Sequence, residues 1–444
     1  MATTLITNAT LINEEQTLRH ASLLIDGEYI AQIFASDECL PTADNVIDAN
    51  GALLLPGVID EHVHFREPGV THKATIASES SAAAAGGVTS YFDMPNTQPT
   101  TTTIAAWEEK QRLMAESSRV NYSCFFGATN DNTHLLSQLD KQRVCGIKLF
   151  MGSSTGNMLV DQEAALREVF KQATIPIMAH CEDTPLINAN TQAYKQKYGE
   201  DPDIKYHPQI RSEEACYRSS LLGITLAREA GATFHIAHLS TARELAFFSA
   251  EDQQIIGEAC LPHLLFDTSD YITLGAKIKC NPAIKTHHDR DALRRALNDG
   301  RIRTIGTDHA PHLPKEKLGG ALKATSGFPM VQFSLPLMLD LVSDGVLTHE
   351  RLVRLMCHNP ALVYNIKGRG FIRIGYKADL VLVRKEQWTV SKEVIESKCQ
   401  WSPIEGRTLG HRVWKTFCNG ELVFDLEEGV RHRVRGQSIR FDRL

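Results

Sequence analysis

The chain has 444 residues, 43% of them hydrophobic and 23% charged, with a formal net charge of −6. These are the proportions of an ordinary folded protein with room for more than one domain, and with no long Lys/Arg block they exclude a basic surface for nucleic acid. The N-terminal MATTLITNATLINEEQ lacks the charged-then-apolar plan of a secretion signal, and no apolar run reaches membrane-spanning length.

In chain order, the first fifty or so residues read as strands, TLITNATLI and ASLLIDGEYIAQIF, with Asp-Gly as a hairpin signal. The tail from about Gly368 has the same character, FIRIGYKADLVLVR and HRVWKTFCNGELVFD, with Asn-Gly as its turn. Chain ends often lie close together, so residues 1–54 and 366–444 are expected to form one small β-sandwich domain, with 55–365 as the main domain.

That middle alternates. LLPGVIDEHVHF, VTSYFDMP, YSCFFGA, VCGIKLFM, TIPIMAHCE, TFHIAHLS, QIIGEACLP and IRTIGTDHA are continuous apolar runs, as parallel strands covered on both faces should be. Helical patterns such as DQEAALREVFKQA and SEEACYRSSLLGITLAREAG lie between most of them. Eight strands close a (β/α)8 barrel. A doubly wound open sheet would carry a Gly-rich phosphate loop after its first strand, and none is present. The fold class expected is therefore α/β, a TIM-type barrel with a terminal β-sandwich.

The ten cysteines are scattered and none forms CxxC. They read as buried thiols in a reducing compartment, the cytoplasm, and not as disulfides or thiolate metal ligands.

Polar residues then collect where a barrel keeps its chemistry, at the C-terminal ends of strands. The first strand ends in DEHVHFR, and alternate positions share a face, so His62, His64 and Arg66 lie on one side. The fourth carries Lys148 inside IKLFM, the fifth ends at His180, the sixth at His238, and the eighth in GTDHAPH with Asp308, His309 and His312. Four histidines and an aspartate exceed one tetrahedral site with an open position, which points to two divalent ions of the zinc type. Two metals need a bridging anion, yet no acidic residue lies between Leu149 and Val160. Lys148 stands where a bridge is needed and would serve if CO2 had carboxylated it to a carbamate. The bland alternative is a lysine capping the barrel mouth or pairing with Asp308. His235 reads as a core residue, His309 points to the face opposite Asp308, and the loop histidines read as surface or structural.

HVHFREPG, DMPNT, AHLSTA and IGTDHAPH together resemble the dihydroorotases of the amidohydrolase superfamily. The resemblance covers most of the chain, including the split β domain. It implies that His62, His64, Lys148, His180, His238 and Asp308 hold two divalent metal ions, usually zinc. It also implies that Arg66, Asn96 and His312 hold a substrate carboxylate and that Asn281 contacts the substrate. The implied reaction is reversible closure of N-carbamoyl-L-aspartate to L-dihydroorotate in pyrimidine biosynthesis. A hydroxide between the metals would attack the ring amide, with Asp308 as general acid and base. The loop GSSTGN departs from relatives that place an aspartate there. Its neighbour IKLFM is more like hydantoinase, allantoinase or animal dihydroorotase, so those cyclic amidases are the rival reading. A barrel that lost its ligands is a weaker one, because every ligand position here is filled. The long polar segment HLPKEKLGGALKATSGFP reads either as a lid or as a surface loop. The expected partner is a small molecule, without nucleic acid or membrane, and the general expectation for assembly is a homodimer.

Overall fold

The computed structural model describes residues 2–36, 38–152 and 158–443. Most of the GSSTGN loop therefore lies outside the described residues.

Nine strands form one sheet from both ends of the chain. From the N-terminal side come β1 (Thr3–Asn13), β2 (Gln16–Asp26), β3 (Tyr29–Phe34), β4 (Asn45–Asp48) and β5 (Leu53–Pro56). Nine further strands, β6 to β14, lie between these and the C-terminal set. That set is β15 (Leu380–Thr389), β16 (Thr408–Cys418), β17 (Glu421–Asp425) and β18 (Gly429–Val430). The two sets meet at β5, which pairs with β1 on one edge and with β15 on the other. The sheet curls, so that its two hairpin turns touch. A Cβ on Gly420 would stand 2.0 Å from the carbonyl oxygen of Gly27, and Gly420 has φ +77, so only glycine fits that contact. Ile6, Leu23, Leu54, Leu380, Trp414 and Phe417 share the core inside the curl.

The barrel strands are β6 (Val58–Val63), β7 (Val88–Asp93), β8 (Asn121–Cys124), β9 (Phe126–Gly127), β10 (Ile147–Phe150), β11 (Ile177–His180), β12 (Phe234–Ile236), β13 (Ile255–Cys260) and β14 (Thr304–Gly306). The run YSCFFGA, expected as a single strand, is interrupted at Phe125. There Phe125 donates its N–H to Asp93 at 3.0 Å while Phe126 donates to Gly146 at 3.0 Å. One strand thus joins a three-stranded and a six-stranded parallel sheet. The ring closes where His64 donates its N–H to the carbonyl of His309 at 2.7 Å. Gly306 makes that closure possible: a Cβ there would lie 2.5 Å from Glu258 Oε1 and 3.0 Å from His62 Cβ.

Helices of ten or more residues pack around the strands: α1 (Ile76–Ala85), α2 (Ile104–Ser117), α3 (Glu163–Gln172), α4 (Thr184–Tyr198), α5 (Glu213–Ala230), α6 (His287–Asp299) and α7 (Ser334–Ser343). Local sequence sets their ends. Ser212 caps α5 by accepting from Ala215, Glu213 and Glu214 oppose its dipole, and Gly231 at φ +68 stops it. Thr286 and Asp289 form a capping box on α6, which ends at Gly300 with φ +88.

All ten cysteines are free; nine are buried, and Cys39 is exposed, contrary to the expectation of burial throughout. Cys39 lies in the polar stretch before β4 rather than in an apolar strand. Among the described residues no helix is long and apolar enough to cross a membrane.

Candidate active site

A cavity of ≈ 480 Å³ opens at the C-terminal ends of the barrel strands. The structure brings all of the residues singled out in the sequence to its wall: His62, His64, Arg66, Asn96, Lys148, His180, His238, Asn281, Asp308 and His312.

Two donor groups face each other. In the first, Asp308 Oδ1 lies 3.1 Å from His64 Nε2 and 3.4 Å from His62 Nε2. In the second, His180 Nδ1 lies 2.9 Å from His238 Nε2. The His62 and His238 rings are 5.3 Å apart and bring the groups together. Lys148 sits with them, 1% exposed, and its Nζ has no hydrogen-bond partner. The alternative of an Asp308 ion pair for Lys148 is not present among the described residues. Arg66, His238 and Asp308 have φ of +68, +39 and +49, a left-handed backbone that a non-glycine residue holds only when its surroundings enforce it.

Burial sets the charge states. It pushes His64 down to about 4, against the pull of Asp308. It also lowers His180 and Lys148 and takes His238 well below the ordinary range. Burial would raise Asp308, but the neighbouring His62 and His64 hold it low, so it stays a carboxylate. Imidazoles, a carboxylate and a buried amine form a donor set suited to divalent cations. His238 Nδ1 and Lys148 Nζ, both buried and unpartnered, are polar atoms that such ions and their bridge would satisfy.

The other side of the cavity is cationic. Arg66, Arg211, Lys279 and Lys323 line it, and Asp308 is the one carboxylate of the lining among the described residues. Arg66 donates from Nε to Pro311 O at 3.1 Å, and its Nη2 lies 3.0 Å from His312 Nε2. Asn96 Oδ1 accepts from His64 Nδ1 at 2.8 Å. Ser326 donates to Asn281 Oδ1 at 3.1 Å. The segment 312–329, read in the sequence as a lid or a surface loop, forms part of the wall. Asp201 holds it by accepting N–H groups from Gly320, Leu322 and Lys323 at 2.7, 3.0 and 3.0 Å. The buried Lys317 donates to the carbonyls of Lys279, Thr325 and Gly327 at 3.2, 2.6 and 2.8 Å.

Several supporting residues escaped sequence reading. Glu258 Oε2 lies 2.9 Å from His62 Nδ1 and accepts the N–H of His238 at 2.8 Å. Glu182 Oε2 lies 2.7 Å from His180 Nε2 and is paired with Arg211 at 2.7 Å. Glu258 is the one carboxylate of the apolar run GEACLP, and that isolation was the available signal. His235 is buried beneath the site, 2.8 Å from the Tyr364 hydroxyl. His309 turns away from the cavity to Glu79, 2.8 Å away.

An amidohydrolase family profile matches residues 53–423. Curated relatives include a dihydroorotase from Halobacterium salinarum, 35% identical over 92% of this chain and 94% of its own. An allantoinase from Salmonella paratyphi B is 28% identical over 98% of each chain. Among solved structures, an L-hydantoinase (dihydropyrimidinase) from Arthrobacter aurescens superposes with a TM-score of 0.93 and 26% identity, covering 99% of this chain and 100% of that one. The fold and the site define a hydrolase acting on cyclic amides. The chain belongs to the amidohydrolase family and, by its curated relatives, to the dihydroorotase branch of it.

Proposed function

We propose that this protein is a dihydroorotase, interconverting N-carbamoyl-L-aspartate and L-dihydroorotate. One observation carries the choice of substrate: a half-buried guanidinium, Arg66, lines the cavity with no ion-paired carboxylate among the described residues. A charge held there without a counter-ion is costly, and a substrate carboxylate removes that cost through a fork of N–H donors. Asn96 and His312 stand beside it to complete a clamp, and Asn281 lines the same wall.

His62, His64, Lys148, His180, His238 and Asp308 would hold two divalent ions, zinc by expectation, with Lys148 as its carbamate. Burial disfavours the charged form of the Lys148 amine, and the neutral form is the one that reacts with CO2. Such ions lower the pKa of water and polarise the amide carbonyl. Asp308, kept a carboxylate between two imidazoles, takes the proton of the attacking water and returns it to the ring nitrogen that leaves. The clamp holds the ring so that its amide faces Asp308.

Hydantoinase and allantoinase relatives share the scaffold but give no reason for an arginine at position 66. The test is ring opening of L-dihydroorotate, allantoin and hydantoin by the zinc-supplied protein, side by side. Selective opening of dihydroorotate is expected. Opening of allantoin or hydantoin in its place would overturn the substrate and keep the metal chemistry.

A further inference from the structure

His312 stands between two cationic side chains. Lys73 Nζ lies 2.9 Å from its Nδ1, and Arg66 Nη2 lies 3.0 Å from its Nε2. Lysine and arginine only donate, and a neutral imidazole has one lone pair to accept with. Both contacts cannot be hydrogen bonds at once. His312 is 6% exposed; burial and its cationic neighbours keep it neutral.

The surroundings decide which nitrogen accepts. Lys73 is fixed by Glu316, whose Oε1 lies 2.8 Å from Nζ. Glu316 in turn is fixed at the start of the wall segment, its Oε2 accepting the N–H of Leu313 at 2.7 Å. Trp401 Nε1 donates to the backbone carbonyl of His312 at 2.7 Å and so fixes the main chain that carries the imidazole. Arg66 already spends its Nε on Pro311 O.

Building on the reading of this cavity as a carboxylate receptor, we propose that Lys73 is a positioning residue that fixes the tautomer of His312. By donating to Nδ1 it places the histidine proton on Nε2. The Nε2–H and the Arg66 Nη2–H then face one point together, and an acceptor with two lone pairs, a carboxylate oxygen, answers both. Without Lys73 the proton moves to Nδ1, and Nε2 accepts from Arg66 directly. The clamp then closes on itself and competes with the substrate.

Two measurements test this. The first is the tautomer itself, read from long-range nitrogen–proton spectra of 15N-histidine-labelled enzyme, with the His312 signal assigned by loss in His312→Gln. Wild type is expected to show Nε2–H, Lys73→Met a mixture or Nδ1–H, and Lys73→Arg the wild-type pattern. The same tautomer in wild type and Lys73→Met would overturn the proposal. The second is kinetic. Lys73→Met should raise KM for dihydroorotate about tenfold or more while kcat stays within about threefold, and Lys73→Arg should restore KM. A loss of kcat with unchanged KM would also overturn it. Failure of the carboxylate reading looks different: wild type would then open dihydrouracil, the same ring without a carboxylate, as well as dihydroorotate.

Discussion

The Nδ1 of His62 lies 2.9 Å from Glu258 Oε2, with both side chains buried. That contact places an imidazole N–H on Nδ1 and leaves Nε2, on the cavity side, free to act as a ligand atom. Glu258 also accepts the backbone N–H of His238, so one carboxylate orients two metal-binding candidates. Glu258→Gln should lower zinc affinity about 10- to 100-fold, measured by competition with a chromophoric chelator. Affinity equal to wild type would remove Glu258 from the site's support.

On the proposed function, substrate choice turns on Arg66. Arg66→Met should reduce kcat/KM for dihydroorotate by about two to three orders of magnitude, the loss of charge-assisted hydrogen bonds. Arg66→Lys should recover part of it, since it restores the charge without the fork. Bound metal should stay the same in both, and unchanged kinetics in Arg66→Met would defeat the assignment.

Lys148 offers a prediction about CO2. Metal-stripped protein reconstituted with zinc should regain activity faster with bicarbonate than in CO2-free buffer, and the intact mass of reconstituted protein should carry one added CO2. Lys148→Met should fail to retain two metals under either condition. Equal reconstitution with and without bicarbonate would favour an ordinary lysine.

Acid stability follows from two core histidines. Burial pushes His235 and His263 down to about 4, whereas an unfolded histidine titrates near 6.5. Between those values the unfolded chain takes up protons that the folded chain refuses, so stability falls as pH falls through that window. Each group costs about 3 kcal/mol once pH reaches 4. The urea midpoint should drop from pH 6.5 to 4, and less steeply in His263→Gln. Identical slopes would show that other groups set the acid limit.

The barrel was legible because buried parallel strands are apolar throughout, and His62, His64, His180, His238 and Asp308 were legible because histidine and aspartate are rare in such runs. The break at Phe125 was not, since it lies in hydrogen bonding to Asp93 and Gly146 rather than in residue type. Lys73 and Glu258 were missed for a related reason. Each acts through one atom of a residue distant in sequence, Lys73 on His312 and Glu258 on His62. The wall segment 312–329 is polar and glycine-rich, so it reads as loose. Asp201, more than a hundred residues earlier, holds it by three N–H groups.

β5 has a timing consequence during synthesis. One of its edges can be satisfied by β1 once residues 1–56 have left the ribosome. Its other edge waits for β15, whose residues are made only after the whole barrel. Through that interval the nascent chain displays an open, apolar strand edge able to pair with a neighbour. Chaperone demand in the cell should therefore peak on chains that have finished the barrel but not yet residue 389.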